Sequence, residues 1–205
     1  MRGIYLVTDR SLCRGRALTE IVRQAAEGKV AYVQLREKEL PARDFIDEAR
    51  EIKKILELYH IPLIINDCVE VALACDAAGV HLGQSDMPYS EARKALGEKA
   101  IIGLSVETWL DVEKAEKLNV SYIAASPVFA TPTKTDTKKP WGLAGLQKIK
   151  NFSRHPVVAI GGINENNISE VIGAGADCIA VVSAICSADD PAIAVHKLND
   201  LIRSF

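Results

Sequence analysis

The sequence has no Cys-x-x-Cys pair and no cluster of histidines, and its five cysteines, Cys13, Cys68, Cys75, Cys178 and Cys186, are an odd number scattered along the chain. That pattern argues against both a disulfide framework and a tetrahedral zinc site, so all five read as free thiols, with Cys13 the one expected at the surface. No uninterrupted apolar run approaches the roughly 18 residues that a membrane span requires. No basic segment, apolar h-region or cleavage site stands before the strand-like run Gly3-Ile4-Tyr5-Leu6-Val7-Thr8, so the default expectation is a cytoplasmic protein without a membrane partner. Charge of one sign is lacking too. Lys and Arg number 25 against 27 Asp and Glu, a formal net charge of -2 that supplies no global field for nucleic acid. Any anion site must be built locally.

What is present is alternation. Hydrophobic residues make up 48% and charged residues 25%, the balance of an ordinary globular chain, and the 205 residues suit one domain spanning 1–205. Short apolar runs rich in Val, Ile, Leu and Tyr alternate with longer amphipathic stretches. Strands are predicted at 4–8, 32–36, 63–66, 79–82, 101–105, 122–126, 157–160 and 178–183. Helices are predicted at 18–27, 42–59, 69–76, 89–96, 109–118, 143–151, 168–173 and 191–202. Continuous apolar strands are buried on both faces, as in a parallel sheet covered by helices. Eight successive units of about 25 residues favour closure, so the expected fold is α/β, a single-domain (β/α)8 TIM barrel, with an open doubly wound sheet as the rival. Pro41 and Pro191 stand at helix starts and Gly97 and Gly173 at helix ends. No linker or repeat interrupts the chain. The one long loop, 129–141, follows strand 6 and has the length of a lid or ligand clamp.

In such a barrel, functional side chains come from the C-terminal ends of the strands and the loops after them. Strand 2 ends in Gln34-Leu35-Arg36-Glu37-Lys38. Spacing of two keeps Gln34, Arg36 and Lys38 on one face while the strand persists. The fork of Arg36 and the compact charge of Lys38 suit a diphosphate, although surface pairs with Glu37, Glu39 and Asp44 would also explain them. Strand 3 ends in Asn66-Asp67, strand 4 runs into Gln84-Ser85-Asp86, and strand 5 delivers Ser105. Asp67 and Asp86, on adjacent strands, can share a hard cation, and Mg2+ commonly takes one or two carboxylates plus substrate phosphate. Each could instead cap a helix. The strand 6 loop, with Thr131, Thr133 and Lys134, suits anion capture, the alternative being a merely polar loop. Gly161-Gly162 after strand 7, with Val182-Ser183 after strand 8, match the recurrent barrel phosphate site. Two anion sites on one mouth imply two phosphorylated substrates. None of the four histidines is expected to be catalytic: His81 lies in an apolar run, His60 and His155 at strand starts, and His196 in the last helix. A site with cations and no base fits departure of a diphosphate leaving group.

These motifs resemble the thiamine phosphate synthase (thiamine-phosphate pyrophosphorylase) family over nearly the whole chain. The segments that carry the likeness are Tyr5-Leu6-Val7-Thr8-Asp9, Gln34-Leu35-Arg36-Glu37-Lys38, Ile65-Asn66-Asp67, Gly79-Val80-His81-Leu82-Gly83-Gln84, Thr131-Pro132-Thr133-Lys134 and Ala159-Ile160-Gly161-Gly162-Ile163. The resemblance implies a transferase of thiamine biosynthesis. It would join 4-amino-2-methyl-5-(diphosphooxymethyl)pyrimidine to a thiazole phosphate, giving thiamine phosphate and diphosphate by Mg2+-assisted dissociative substitution. It further implies that Gln34, Arg36, Lys38, Asn66 and Lys134 hold the pyrimidine diphosphate, that Asp67 and Asp86 hold magnesium, and that Ser105 lies near the pyrimidine. Arg36, Lys38, Ser105 and Lys134 would be the catalytic group. Thr131, Thr133, Gly162, Val182 and Ser183 would hold the thiazole phosphate. The partners are thus two small molecules, with homo-oligomerisation left open.

Three features depart from the family pattern. Cys68 stands where Arg often follows Asn-Asp, Ala125-Ser126-Pro127 replaces a more glycine-rich end of strand 6, and the start is short, lacking the leading helical segment many members carry. Ser126 could narrow the thiazole pocket, and the short start would leave the barrel bottom less covered. The alternatives are a thiazole tautomerase of the same superfamily, which need not bind the diphosphate, and a non-catalytic binding protein for thiamine precursors.

Overall fold

The computed structural model describes residues 2–133 and 138–204. Eight parallel strands close into a barrel in sequence order: β1 (Ile4–Val7), β2 (Tyr32–Leu35), β3 (Leu63–Asn66), β4 (Gly79–Leu82), β5 (Ile101–Val106), β6 (Tyr122–Ala125), β7 (Val157–Ile160) and β8 (Cys178–Val181). Closure comes from β1 pairing with β8, Tyr5 opposite Ala180 and Leu6 opposite Val181. The open-sheet alternative is thereby overturned, because both strands that would be edges are paired.

The parity of each strand separates two cores. Ile4, Leu6, Val33, Leu35, Ile65, Val80, Leu82 and Ile102 point outward and join the helices in the larger cluster. Tyr5, Val7, Ile64, Tyr122, Ala124, Val158, Cys178 and Ala180 point inward and fill the barrel. Residues two apart along a strand share a face, so one set meets helices while the other builds the floor of the barrel mouth.

The helices follow the predicted pattern: α1 (Leu18–Glu27), α2 (Ala42–Glu57), α3 (Val69–Ala74), α4 (Tyr89–Leu96), α5 (Trp109–Ala115), α6 (Gly142–Phe152) and α7 (Ile168–Gly173). Two short elements were not predicted, a 3-10 turn at Arg10–Leu12 and the one-turn helix α8 (Ser183–Cys186), which precedes α9 (Pro191–Arg203). Local chemistry sets several boundaries. Thr108 and Asp111 form a reciprocal capping box on α5. Asp190 accepts from the Ile193 N–H at 2.9 Å ahead of Pro191 in α9, and Gly97 ends α4 at φ 79°.

Cys13 corrects one expectation. It is buried rather than exposed: it caps the 3-10 turn with its thiol donating to the Asp9 carbonyl at 3.3 Å, and it lies against Cys186 of α8. Cys68 is the partly exposed cysteine, and all five are free thiols as predicted.

One glycine has a clear steric reason. Gly103 on β5 pairs with Tyr122 on β6, and a Cβ at position 103 would overlap the Tyr122 ring. Gly103→Ala is therefore expected to destabilise the fold by about 1–3 kcal/mol, the usual cost of overpacking. A lower denaturant midpoint would show it, and an unchanged midpoint would mean that the ring moves aside freely.

Candidate active site

The barrel mouth holds a cavity of about 540 Å³, a size suited to a small ligand. Strand parity determines its wall. Tyr5, Val7 and Asp9 come from β1 and its extension, and Gln34, Arg36 and Lys38 from β2 and its extension. His81 and Gly83 continue the spacing of two from β4, Ser105 and Glu107 from β5, and Tyr122, Ala124 and Ser126 from β6.

Thr8 is fully buried, and its hydroxyl accepts from the Arg36 N–H at 3.0 Å, tying the end of β1 to that of β2. Arg36 Nη1 then reaches Asp9 Oδ2 at 3.2 Å, and Lys38 Nζ reaches Asp67 Oδ2 at 2.5 Å. The surface pairs considered for these cations do not form among the described residues. Glu37 instead meets Arg10 at 3.0 Å. Arg36 and Lys38 thus stay at the mouth, each held by a carboxylate that also lines it.

Asp67 and Asp86 come together on the same side of the cavity. Neither caps a helix: the N-cap positions of α3 and α4 are Cys68 and Pro88. Asp67 has left-handed backbone, φ 62°, and its N–H donates to the His81 carbonyl at 2.8 Å. Asp86 Oδ2 accepts from the Gly83 N–H at 2.6 Å. Burial works against charge on Asp67, but hydrogen bonds from Asp86 and Lys38 outweigh it and hold its carboxyl below the ordinary carboxylate value. Asp86 moves the other way, raised by burial and then by Asp67. Two carboxyl groups brought together beside a lysine offer oxygen donors of the kind a hard divalent cation uses.

The rest of the predicted set divides between wall and rim. Asn66, Ser105, Thr133 and Val182 line the cavity, whereas Thr131, Gly162 and Ser183 are not in its wall among the described residues. The Thr133 N–H donates to Thr131 Oγ1 at 3.2 Å. Gly162 has φ 66°, and a Cβ there would press on Phe129 and the Ala130 carbonyl, so the loops after β6 and β7 touch. The last register pair of β7 and β8, Ile160 with Ala180, stands two residues before Gly162 and Val182, and Ser183 begins α8 directly after Val182. Lys134 lies outside the described residues. The loop that carries it is anchored beyond that segment by Trp141, whose Nε1 donates to the Val106 carbonyl at 3.0 Å.

A family model described as thiamine monophosphate synthase matches residues 4–185. The chain belongs to the thiamine monophosphate synthase family. Within that family it is 53% identical over 199 residues to a thiamine-phosphate synthase from Albidiferax ferrireducens, covering 97% of this chain and 91% of the relative. It is 53% identical over 204 residues to one from Leptospira biflexa, covering 98% and 97%. A solved thiamine phosphate pyrophosphorylase from Pyrococcus furiosus superposes with a TM-score of 0.90 at 37% identity, over 98% of this chain and 96% of that one.

Sequence reading overlooked part of the site. His81, taken for a core residue, lines the cavity and hydrogen-bonds Ser105, and Tyr5, Tyr122, Asp9 and Lys138 line it as well. Spacing of two relates several of them to one another and to Ser126, but marks them as inward-facing only once the parity of each strand is known. Tyr122 stands four before Ser126, and Asp9 four after Tyr5. No comparable signal marked Lys138, at the far end of a long loop.

Among the described residues no helix is long and apolar enough to cross a membrane.

Proposed function

We propose that this chain is a thiamine-phosphate synthase that joins 4-amino-2-methyl-5-(diphosphooxymethyl)pyrimidine to a thiazole phosphate, releasing diphosphate. The observation that carries the reading is the shared cavity wall of Gln34, Arg36, Lys38, Asn66, Asp67 and Asp86, which pairs cationic donors with carboxylates at the ends of β2 to β4. The relatives from Albidiferax ferrireducens and Leptospira biflexa, both thiamine-phosphate synthases, support it.

The chemistry follows from that wall. The bond between the pyrimidine methylene carbon and the diphosphate oxygen breaks with its electron pair leaving on oxygen. Arg36 and Lys38 meet the negative charge that develops there, a preorganised stabilisation that needs no protein nucleophile or base. The electron-rich aminopyrimidine supports the methylene cation, and the thiazole nitrogen captures it with its lone pair. Asn66 and Gln34 orient the diphosphate ester, Ser105 sits against the pyrimidine, and Lys134 would join the diphosphate from the strand 6 loop. Thr131, Thr133, Gly162, Val182 and Ser183 would hold the thiazole phosphate on the opposite side. Mg2+ would be held by Asp67 and Asp86, and when bound it neutralises part of the charge on the departing diphosphate. A thiazole tautomerase would have no use for the diphosphate wall.

The test is to mix the protein with both substrates and magnesium, and to measure diphosphate and thiamine phosphate together. Both should appear in equal amounts, stop on chelation, and return when magnesium is restored. Absence of product sinks the assignment, and unchanged turnover under chelation removes the cation from it.

A further inference from the structure

Along the wall of the cavity, five side chains from five strands are joined end to end. Gln34 Nε2 donates to the Tyr5 hydroxyl at 2.9 Å, and the Tyr5 and Tyr122 hydroxyls lie 2.9 Å apart. His81 Nδ1 is 2.9 Å from the Tyr122 hydroxyl, and His81 Nε2 is 2.9 Å from Ser105 Oγ. Each hydroxyl has one proton to give, and with Gln34 Nε2 as the first donor the sense that leaves no phenol proton unpaired runs from Tyr5 toward Ser105. Tyr5 accepts from Gln34 and gives its proton to Tyr122. In that sense Tyr122 gives its own to His81 Nδ1, which accepts it. Nε2 carries the imidazole proton and donates to Ser105, whose own proton is left to turn into the cavity.

The barrel is shaped around this chain. His81, Gly103 and Tyr122 are register partners across β4, β5 and β6, and the bare Cα of Gly103 makes the room that the Tyr122 ring occupies. The His81 ring stacks on Tyr122 at 5.6 Å and 19°. Burial raises the pKa of both tyrosines, so each remains a phenol with a proton to pass on. Phenylalanine would fill almost the same space at either position. The hydroxyls therefore contribute direction rather than bulk, and a fully satisfied buried network specifies one arrangement.

We propose that Tyr5, Tyr122 and His81 are positioning residues, a one-way hydrogen-bond relay that holds the Ser105 hydroxyl as a donor to a ring nitrogen of the aminopyrimidine. This rests on the synthase reading for the identity of the ligand. A pyrimidine nitrogen offers only an in-plane lone pair. A Ser105 turned toward His81 would present lone pair to lone pair, so the relay discriminates between two orientations of one small hydroxyl.

Two measurements test it. In substrate-free, 15N-labelled protein at about pH 8, where an ordinary imidazole is neutral, His81 should be the Nε2–H tautomer, identified by its absence from the His81→Asn spectrum. In steady-state assays Tyr122→Phe should raise the KM for the pyrimidine diphosphate about fivefold to tenfold, the effect of one lost orienting hydrogen bond. The KM for the thiazole phosphate should stay unchanged. Ser105→Ala should match that loss, and the double variant should be no worse than Ser105→Ala alone, since both remove one interaction. An Nδ1–H tautomer, additive losses, or equal changes in both KM values would overturn the relay. Should Tyr122→Phe fail to fold, the wild-type tautomer still decides. A wild-type protein that makes no thiamine phosphate would defeat the synthase reading, and the spectrum would still settle the direction of the chain.

Discussion

Replacing Asp67 with asparagine is expected to lower turnover by at least about a hundredfold while leaving the barrel folded, the scale of losing one charge-stabilising group at a reacting centre. Asparagine is the informative substitution because position 67 has left-handed backbone at φ 62°. Asn tolerates that conformation, whereas Ala would add backbone strain and blur the result. The carboxylate has two roles that the amide cannot take over. It is the member of the pair whose carboxyl is held below the ordinary carboxylate value, and it accepts the Lys38 ammonium at 2.5 Å. Losing it weakens the proposed cation site and leaves Lys38 without its partner at once. Diphosphate release should be followed across a magnesium titration, with a thermal melt as the control for folding. If higher magnesium restores much of the rate, Asp67 acts through the cation. A rate within about threefold of wild type at ordinary magnesium would be too small for a group stabilising a leaving diphosphate, and would place the chemistry elsewhere.

The fold was legible because eight apolar runs recur with amphipathic stretches between them, and a closed barrel leaves no strand edge exposed. The inner wall was harder to read. In a parallel barrel both faces of a strand are buried, so β4, Gly79-Val80-His81-Leu82, appears as one continuous apolar run with a histidine inside it. Nothing in those four residues says that Val80 and Leu82 meet helices while His81 faces the mouth. Register decides it. The contact between the hydroxyls of Tyr5 and Tyr122 joins residues 117 positions apart, a separation at which local pattern is silent. Cys13 was misread for a related reason, since the Cys186 that lies against it is 173 positions away.

At the mouth itself, alternation was a better guide because its residues are polar. Gln34, Arg36 and Lys38 line one wall as their spacing of two predicts, even though β2 ends at Leu35 and Lys38 lies beyond it. Their partners were not legible. Arg36 pairs with Asp9 across 27 positions rather than with a neighbouring carboxylate, which takes the adjacency of β1 and β2 to see. The proposed phosphate side rests on the Gly161-Gly162 and Val182-Ser183 pairs. Their positions follow from the β7–β8 register, whereas the helical turn that Ser183 begins has only four residues and no periodicity to detect.

Lys38→Ala should also lower turnover by at least about a hundredfold, and the contrast with its effect on stability makes the experiment decisive. Lys38 is exposed, and an exposed ion pair adds about 0–1 kcal/mol at most to folding. For a chain of this size that corresponds to a melting shift of no more than about 2–4 °C. A large loss of rate with a small change in melting therefore cannot come from unfolding. The side chain must exchange one anionic partner, Asp67, for another, the diphosphate, as substrate enters, and a flexible ammonium can do so without moving the backbone. Lys38→Arg keeps the charge but replaces a compact point with a planar fork. It should recover part of the rate and raise the KM for the pyrimidine diphosphate more than that for the thiazole phosphate. Equal rates for the alanine variant and wild type would reduce Lys38 to a surface neighbour of Asp67. The diphosphate would then rest on Arg36 and whatever the strand 6 loop supplies.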